Sequence, residues 1–419
     1  MGKRIANIVL AVIIPCAVVL SLRYVCVLYG VQGWYQALAL AACAGAALVL
    51  FFLSADLHEA GHILFGKAGK MRLLGAKFSF FKIETVNGER KVSLGCFFKE
   101  STYSTMVLTD IQNAKSKLLS YIAGGPVVSF TLAMLGLQAA VRGLFGVAFF
   151  WEFPIGLPLF VINTYYFCVN GIPKKSLADM TDGGYWYNLK KDTDTGKAFL
   201  LQQTAQAEIL SGKSAGEIRT DVFADLFLLD DDPCLLPLLG LRLEKALLTA
   251  DMENIRQTAQ RLYNLLPEDV PCAYEAACFF YRLFSACLLD TEPSLICLEM
   301  LDIEETTGET EDIEKAEAFV RVWLQDAVLP AAQGKDEKAE TGEDLATPTA
   351  AKAQALVQAD FGWAMIAFSV LAKRLGMSEW EELKTLGLND CQRQVKDLQE
   401  KNRIINGDLY TKIKLLKLL

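Results

Sequence analysis

Long uncharged apolar runs constrain this chain more than any other feature. Ile5–Leu22 (IANIVLAVIIPCAVVLSL) carries no charge, and its apolar character resumes after Arg23 to about Gly30. Trp34–Leu53 is a second uncharged run, rich in Ala and Leu. A helix needs roughly 20 such residues to cross the hydrocarbon core of a bilayer, so both read as spans. A cleaved signal peptide headed by Lys3-Arg4 is the alternative for the first run. That run outlasts the usual ~7–15-residue apolar region, and more apolar chain follows at once. Pro15 within it is tolerable in a membrane helix. Leu118–Ala140 and Leu144–Val169 complete the set. Spans are expected at about 5–30, 34–62, 118–140 and 144–169. The fourth contains Glu152, Pro154 and Pro158 and is expected to be irregular, broken or partly re-entrant.

Charge divides the chain. Residues 1–191 hold 18 Lys and Arg against 9 Asp and Glu, whereas residues 192–419 hold 23 against 40. A basic apolar half followed by an acidic half fits a membrane domain, 1–191, joined to a water-soluble one. With four spans, Lys3, Arg4, Lys67, Lys70, Arg72, Lys115, Lys117, Lys174 and Lys175 fall on one side. Positive loops stay cytoplasmic, so a multi-pass cell-membrane protein with both termini inside is expected. The 11 cysteines are odd in number and have no repeated spacing, which excludes a disulfide scaffold and fits a reducing compartment. With 53% hydrophobic residues the chain is not disordered or low-complexity. The basic residues form no stripe with interleaved aromatics, so nucleic acid is not an expected partner.

Between the second and third spans, residues 77–98 (KFSFFKIETVNGERKVSLGCFF) read as a β-hairpin at the membrane surface. Asn87-Gly88 is a two-residue turn signal. Val92, Leu94, Cys96 and Phe98 alternate on the second arm, and Phe80-Phe81 interrupts the first, which predicts a bulge there.

The second span runs without a breaker into His58-Glu59-Ala60-Gly61-His62. On a helix, positions i and i+4 share a face, so His58 and His62 can hold one metal ion. Glu59 then lies beside the open coordination position, where it can take a proton from water and later hand it to a leaving amine. These are the only two histidines in the chain. A structural pair of stacked histidines is the plainer alternative. Placing charged groups at the end of an apolar helix costs roughly 3 kcal/mol each near mid-bilayer, and a bound dication compensates. Zinc suits the set, and it needs a third ligand, for which Asp or Glu is usual in a hydrolytic site. Asp182, before Gly183-Gly184, is the leading candidate; Asp179 competes, and Asp182 could instead be a turn or helix-capping residue. Gly124-Gly125-Pro126 either opens a gap between spans or serves small-residue helix packing.

Taken together, HEAGHILFGK in an apolar span, GGPVVS in a later one, and Asn170, Pro173 and Asp182-Gly183-Gly184 after the last resemble the site-2 protease family of intramembrane zinc metalloproteases. The resemblance covers about residues 34–190. It implies His58, His62 and Asp182 as zinc ligands, Glu59 as catalytic acid and base, and Asn170 near the reacting carbonyl. It also implies a membrane-protein substrate, unwound and held extended by an edge strand such as Val92–Cys96. Ser129 stands where family members often have Asn.

After residue 190 the pattern is helical. Leu235–Ala250, Asn254–Leu266 and Cys272–Leu288 show apolar residues at helical spacing, which predicts a cytosolic helical domain over 192–330. Paired helices of this length point to a tetratricopeptide-like solenoid, although no consensus repeat is visible. Residues 331–351 read as an acidic linker and 352–419 as helices packing back on the domain. Phe361–Ala372 is too short to span a bilayer and reads as a buried helix. A last helix is expected over Gln392–Asn402, followed by a basic amphipathic tail, Tyr410–Leu419, that docks on the domain or lies on the inner leaflet. The expected class is thus mainly α, a polytopic membrane domain with a small β element followed by a helical soluble domain that recruits or gates a protein partner. Two other functions fit: a catalytically silent receptor or scaffold acting through the helical domain, and another membrane zinc peptidase with a downstream Glu as third ligand.

Overall fold

A computed structural model describes residues 2–86, 89–95, 102–145, 149, 151–174, 180–270, 274–289, 291–301, 310–334, 346–400 and 405–419. Among them, four helices are long and apolar enough to cross a membrane. They are α1 (Gly2–Tyr29), α2 (Trp34–Ala68), α3 (Ala114–Leu144) and α4 (Glu152–Gly171). Their outward faces carry exposed Val19, Leu38, Val49 and Leu135, as helices solvated by lipid do. The chain divides into two compact units, Met1–Gln203 and Thr204–Leu419.

In the first unit, glycines set how closely the helices approach. A Cβ on Gly136 of α3 would lie 2.5 Å from the Phe160 nitrogen of α4, and one on Gly156 would lie 2.5 Å from the Ala140 nitrogen. With no hydrophobic drive between helices in lipid, such close backbone packing is what holds them. Tyr24 of α1 donates to the Gly143 carbonyl at 2.8 Å.

The fourth span is neither broken nor re-entrant. It is one continuous helix that begins at Glu152 rather than Leu144, because α3 itself runs to Leu144. Pro154 falls in the first turn, where no backbone N–H is needed, and Pro158 removes a single intrahelical bond. Glu152 is buried and lies 3.4 Å from Arg142 of α3.

Between α2 and α3 stands a four-stranded antiparallel sheet, β1 (Arg72–Lys77), β2 (Phe81–Val86), β3 (Glu89–Leu94) and β4 (Tyr103–Val107), in the order β3-β2-β1-β4. The predicted hairpin is β2-β3: Val86 pairs with Glu89, which closes a two-residue loop. Asn87, Gly88, Cys96 and Phe98 lie outside the described residues. The expected bulge at Phe80-Phe81 is instead a turn, closed by the Phe78 amide donating to the Phe81 carbonyl. The irregularity sits between Leu73 and Gly75, in the β1–β4 pairing. Asp56 of α2 holds the turn, accepting from the Ser79 amide at 2.7 Å and hydroxyl at 2.8 Å. The unit continues through α5 (Asp182–Lys191) into α6 (Asp194–Leu210).

The second unit is helical: α7 (Leu235–Thr249), α8 (Met252–Tyr263), α9 (Glu275–Leu288), α10 (Pro293–Met300), α11 (Thr310–Trp323), α12 (Leu329–Ala332), α13 (Ala346–Ala359), α14 (Phe361–Arg374), α15 (Trp380–Glu400) and α16 (Gly407–Leu418). The segment expected to be buried, α14, is its centre, and Phe368 packs among the rings of Phe279, Phe280 and Trp323. The described ends of the expected 331–351 linker are helical, in α12 and α13, and residues 335–345 lie outside the described set. The helix expected at Gln392 starts at Trp380. The basic tail belongs to α16 and docks: Thr411, Lys412, Leu415 and Leu416 are buried. Lys412 lies 2.9 Å from both Asp360 and Asp408. Nearby, Tyr281 donates to buried Glu244 at 2.7 Å. Burial pushes the Glu244 carboxyl up to about 8, with Asp408 adding to the rise.

Candidate metal centre

Helix α2 is 35 residues long, about 52 Å at 1.5 Å per residue. Its buried residues, Ala47, Ser54, Ala55, His58, Gly61, His62 and Gly66, form one stripe, and the two imidazoles lie on that stripe because they are four residues apart. The ring centroids are 5.0 Å apart, and both side chains are buried.

The facing wall is α3, and glycine makes the approach possible. A Cβ on Gly61 would lie 2.5 Å from the Gly124 carbonyl oxygen, and one on Gly124 would lie 2.5 Å from the Gly61 oxygen. A Cβ on Gly125 would lie 2.3 Å from His62 Nε2 and 2.6 Å from His58 Nε2. The Gly-Gly-Pro segment therefore packs the spans together and leaves room for the rings. Tyr121, Gly125 and Ser129 are spaced i, i+4, i+8 on that face. His62 Nδ1 lies 2.9 Å from the Tyr121 carbonyl and His58 Nδ1 lies 2.9 Å from Ser129 Oγ.

The third group arrives from far along the chain. Asp182 is the first residue of α5, whose cap is Thr181: its hydroxyl donates to the Ile172 carbonyl at 2.9 Å and accepts from the Gly184 amide at 3.2 Å. A Cβ on Gly183 would lie 1.9 Å from the Gly171 oxygen, so glycine alone lets α5 seat on the end of α4. Asp182 Oδ2 then lies 3.1 Å from Nε2 of both His58 and His62.

This donor set fits a cation. A carbonyl only accepts, so His62 Nδ1 carries the proton and a neutral ring presents a lone pair at Nε2. That lone pair faces a carboxylate oxygen, and His58 Nε2 lies at the same 3.1 Å from it. Lone pairs so close repel unless a positive charge sits between them. Two imidazole nitrogens and one carboxylate oxygen, each ring in contact through its other nitrogen with an outer partner, form a set that could hold a metal ion. Among the described residues, His58, His62 and Asp182 are the group whose ligand atoms come together, all within 4.8 Å of one another.

Glu59 lies beside them, one residue round the helix, and its Oε2 accepts from the Ser104 hydroxyl at 2.7 Å. Tyr121 donates to the Ser104 carbonyl at 2.7 Å. Asn170 reaches the centre: its Nδ2 is 3.4 Å from His58 Nε2. Asp179, the competing ligand, lies outside the described residues. The structure thus brings His58, Glu59, His62, Asn170 and Asp182 to one place. It adds Ser104, Tyr121, Gly125 and Ser129, which the motif alone did not assign. The i, i+4, i+8 spacing on α3 is a signal that could have found three of them; a lone Ser in β4 carries none. The strand next to Glu59 is β4, at the opposite edge of the sheet from β3 and the expected Val92–Cys96 platform.

Comparison of the chain with protein-family models, with curated proteins and with solved structures returned no match.

Proposed function

We propose that this chain is an intramembrane zinc metallopeptidase of the site-2 protease kind, which hydrolyses a peptide bond within or next to a membrane-spanning segment of another protein. The observation that carries the reading is the convergence of His58, His62 and Asp182 Oδ2, contributed by two elements more than a hundred residues apart, beside the carboxylate of Glu59. His58, His62 and Asp182 would hold the ion. A bound zinc ion would supply Lewis acidity, polarising the scissile carbonyl and easing deprotonation of water. Glu59 takes that proton and returns it to the leaving amine, and Ser104 fixes which way its carboxylate faces. Asn170 orients the scissile carbonyl. The free edge of β4 holds the unwound substrate by strand addition.

The site belongs near one membrane face. His58 lies about 36 Å along α2 from Trp34 at 1.5 Å per residue, beyond a hydrocarbon core of about 30 Å. The excess of basic loop residues on that side makes it the cytosolic face, with both termini inside the cell. The helical domain, solenoid-like in the pairing of its helices, recruits or gates a protein partner.

Zinc content of purified full-length protein, read beside cleavage of a membrane-protein substrate, tests the assignment. Glu59→Gln is expected to keep zinc and lose cleavage, and Asp182→Ala to lose both. A Glu59→Gln variant that still cuts, or an Asp182→Ala variant with full zinc, would overturn it; the latter would favour a downstream Glu ligand.

A further inference from the structure

A cleft of about 460 Å³ shares Asp182 with the candidate metal centre and is walled by Pro126, Val127 and Phe130 of α3, Phe167 of α4 and Trp186 of α5. Its volume falls in the range of about 300–1,000 Å³ typical of sites that enclose a small ligand. Asp182 is the only charged side chain among its described walls, and that carboxylate is already turned to the imidazoles. A group entering the cleft from the metal centre meets two proline rings, aromatic faces and aliphatic carbon, with the Trp186 and Tyr187 tips as the polar exceptions. Polar occupants would lose their hydration without replacement partners. Val127 and Phe130 are half-exposed along α3, a helix long and apolar enough to cross a membrane, so the cleft is reachable from the side.

We propose that this cleft is the subsite for one large apolar side chain, aromatic or branched aliphatic, next to the bond that is cut. The proposal rests on the metallopeptidase reading, since the shared residue Asp182 ties the cleft to the reacting centre. A methyl would leave most of the volume empty, whereas a phenyl ring fills more of a cleft whose walls include Phe130, Phe167 and Trp186. The cleft is therefore a size filter: it selects which residue of an apolar substrate segment is presented.

Two substitutions narrow the cleft without touching a metal ligand. A Cβ at Gly171 would sit 3.6 Å from Phe167 and 3.8 Å from Pro126, ordinary contact distances, so Gly171→Ala fits and takes up space between two walls. Val127→Trp fills it from the half-exposed side. The test uses full-length zinc-loaded protein in detergent and two chelating probes, acetohydroxamic acid and 3-phenylpropanohydroxamic acid, with binding read by calorimetry and zinc content read in parallel. The phenyl probe is expected to bind about tenfold tighter or better, the scale set by burying an extra apolar group in a pocket. Val127→Trp is expected to remove that advantage and Gly171→Ala to reduce it, with acetohydroxamic acid affinity and zinc content as in the parent. If neither probe binds the zinc-loaded protein, the metallopeptidase reading itself fails. If acetohydroxamic acid binds but the phenyl group adds nothing, the subsite is wrong and the metal centre stands. A phenyl advantage that survives both substitutions also overturns the subsite, since the ring then lies elsewhere or in detergent.

Discussion

The sharpest test of the metal centre is a methyl group placed where the imidazoles meet α3. In Gly125→Ala the new Cβ would lie 2.3 Å from His62 Nε2, 2.6 Å from His58 Nε2 and 2.8 Å from His58 Cε1. Ordinary contacts sit at about 3.5–4.0 Å, so the His62 ring must retreat by roughly 1 Å. Metal–ligand distances tolerate about ±0.2 Å, so a retreat of that size takes a ligand out of reach. Loss of one imidazole is expected to cut zinc affinity by at least about 100-fold, or about 2.8 kcal/mol at 1.4 kcal/mol per decade. The helix itself is not harmed, because Ala is favoured over Gly in a helix interior by about 0.8–1.0 kcal/mol. The control is Gly45→Ala, a position in α2 with nothing within 4 Å of the added carbon. Zinc affinity would be read by titration against a competing chelator, with far-UV circular dichroism showing that helix content is kept. A folded Gly125→Ala protein that binds zinc within threefold of the parent would refute the geometry.

Other outcomes follow from the same contacts. Ser104→Ala removes the hydroxyl that donates to Glu59; a hydrogen bond to a charged group is worth about 1.5–3 kcal/mol, so kcat should fall about tenfold or more with zinc content unchanged, and loss of zinc would count against a role through Glu59. In the helical unit, Glu244→Gln keeps an acceptor for Tyr281 and removes a titrating group. The Glu244 pKa is raised from 4.5 to about 8 in the folded protein, so folding takes up a proton between those values and parental stability falls as pH rises from about 4.5 to 8. The slope is at most about 1.4 kcal/mol per pH unit. Denaturant melts of the two proteins should coincide near pH 4 and separate by pH 8 in favour of Glu244→Gln; parallel pH profiles would show that Glu244 does not titrate in this way.

Much of the membrane unit was legible because its signals are local. Uncharged runs announce spans, and His58, Glu59 and His62 sit within one helical turn. Asp182 could be singled out by the two glycines after it, and Gly183 does carry the close contact with Gly171. What escaped depends on which faces meet. Ser129 looked like a departure from a familiar pattern, yet its hydroxyl lies against His58 Nδ1. Tyr121 acts through its backbone carbonyl, which no side-chain pattern reports. Proline content misdirected the reading of α4: Pro154 falls in the first turn, and Pro158 costs one intrahelical bond without ending the helix. β1 and β4 went unread because Arg72–Lys77 and Tyr103–Val107 are short and do not alternate cleanly. Lys412, in a tail that reads as basic surface, is buried because Asp360 and Asp408 meet it from either side.

The continuity of α2 has a mechanical consequence. Both imidazoles ride on one rod that is also long and apolar enough to cross a bilayer, so tilting the rod carries the two nitrogens together and leaves their spacing to backbone geometry. The carboxylate rides on α5, a separate element seated at the end of α4. Stretching or thinning the surrounding lipid therefore acts on the gap between the rod and Asp182, not on the histidine pair. In the proposed metallopeptidase, acyl-chain length would set how firmly the ion is retained, and a leaflet of the wrong thickness would loosen the carboxylate first.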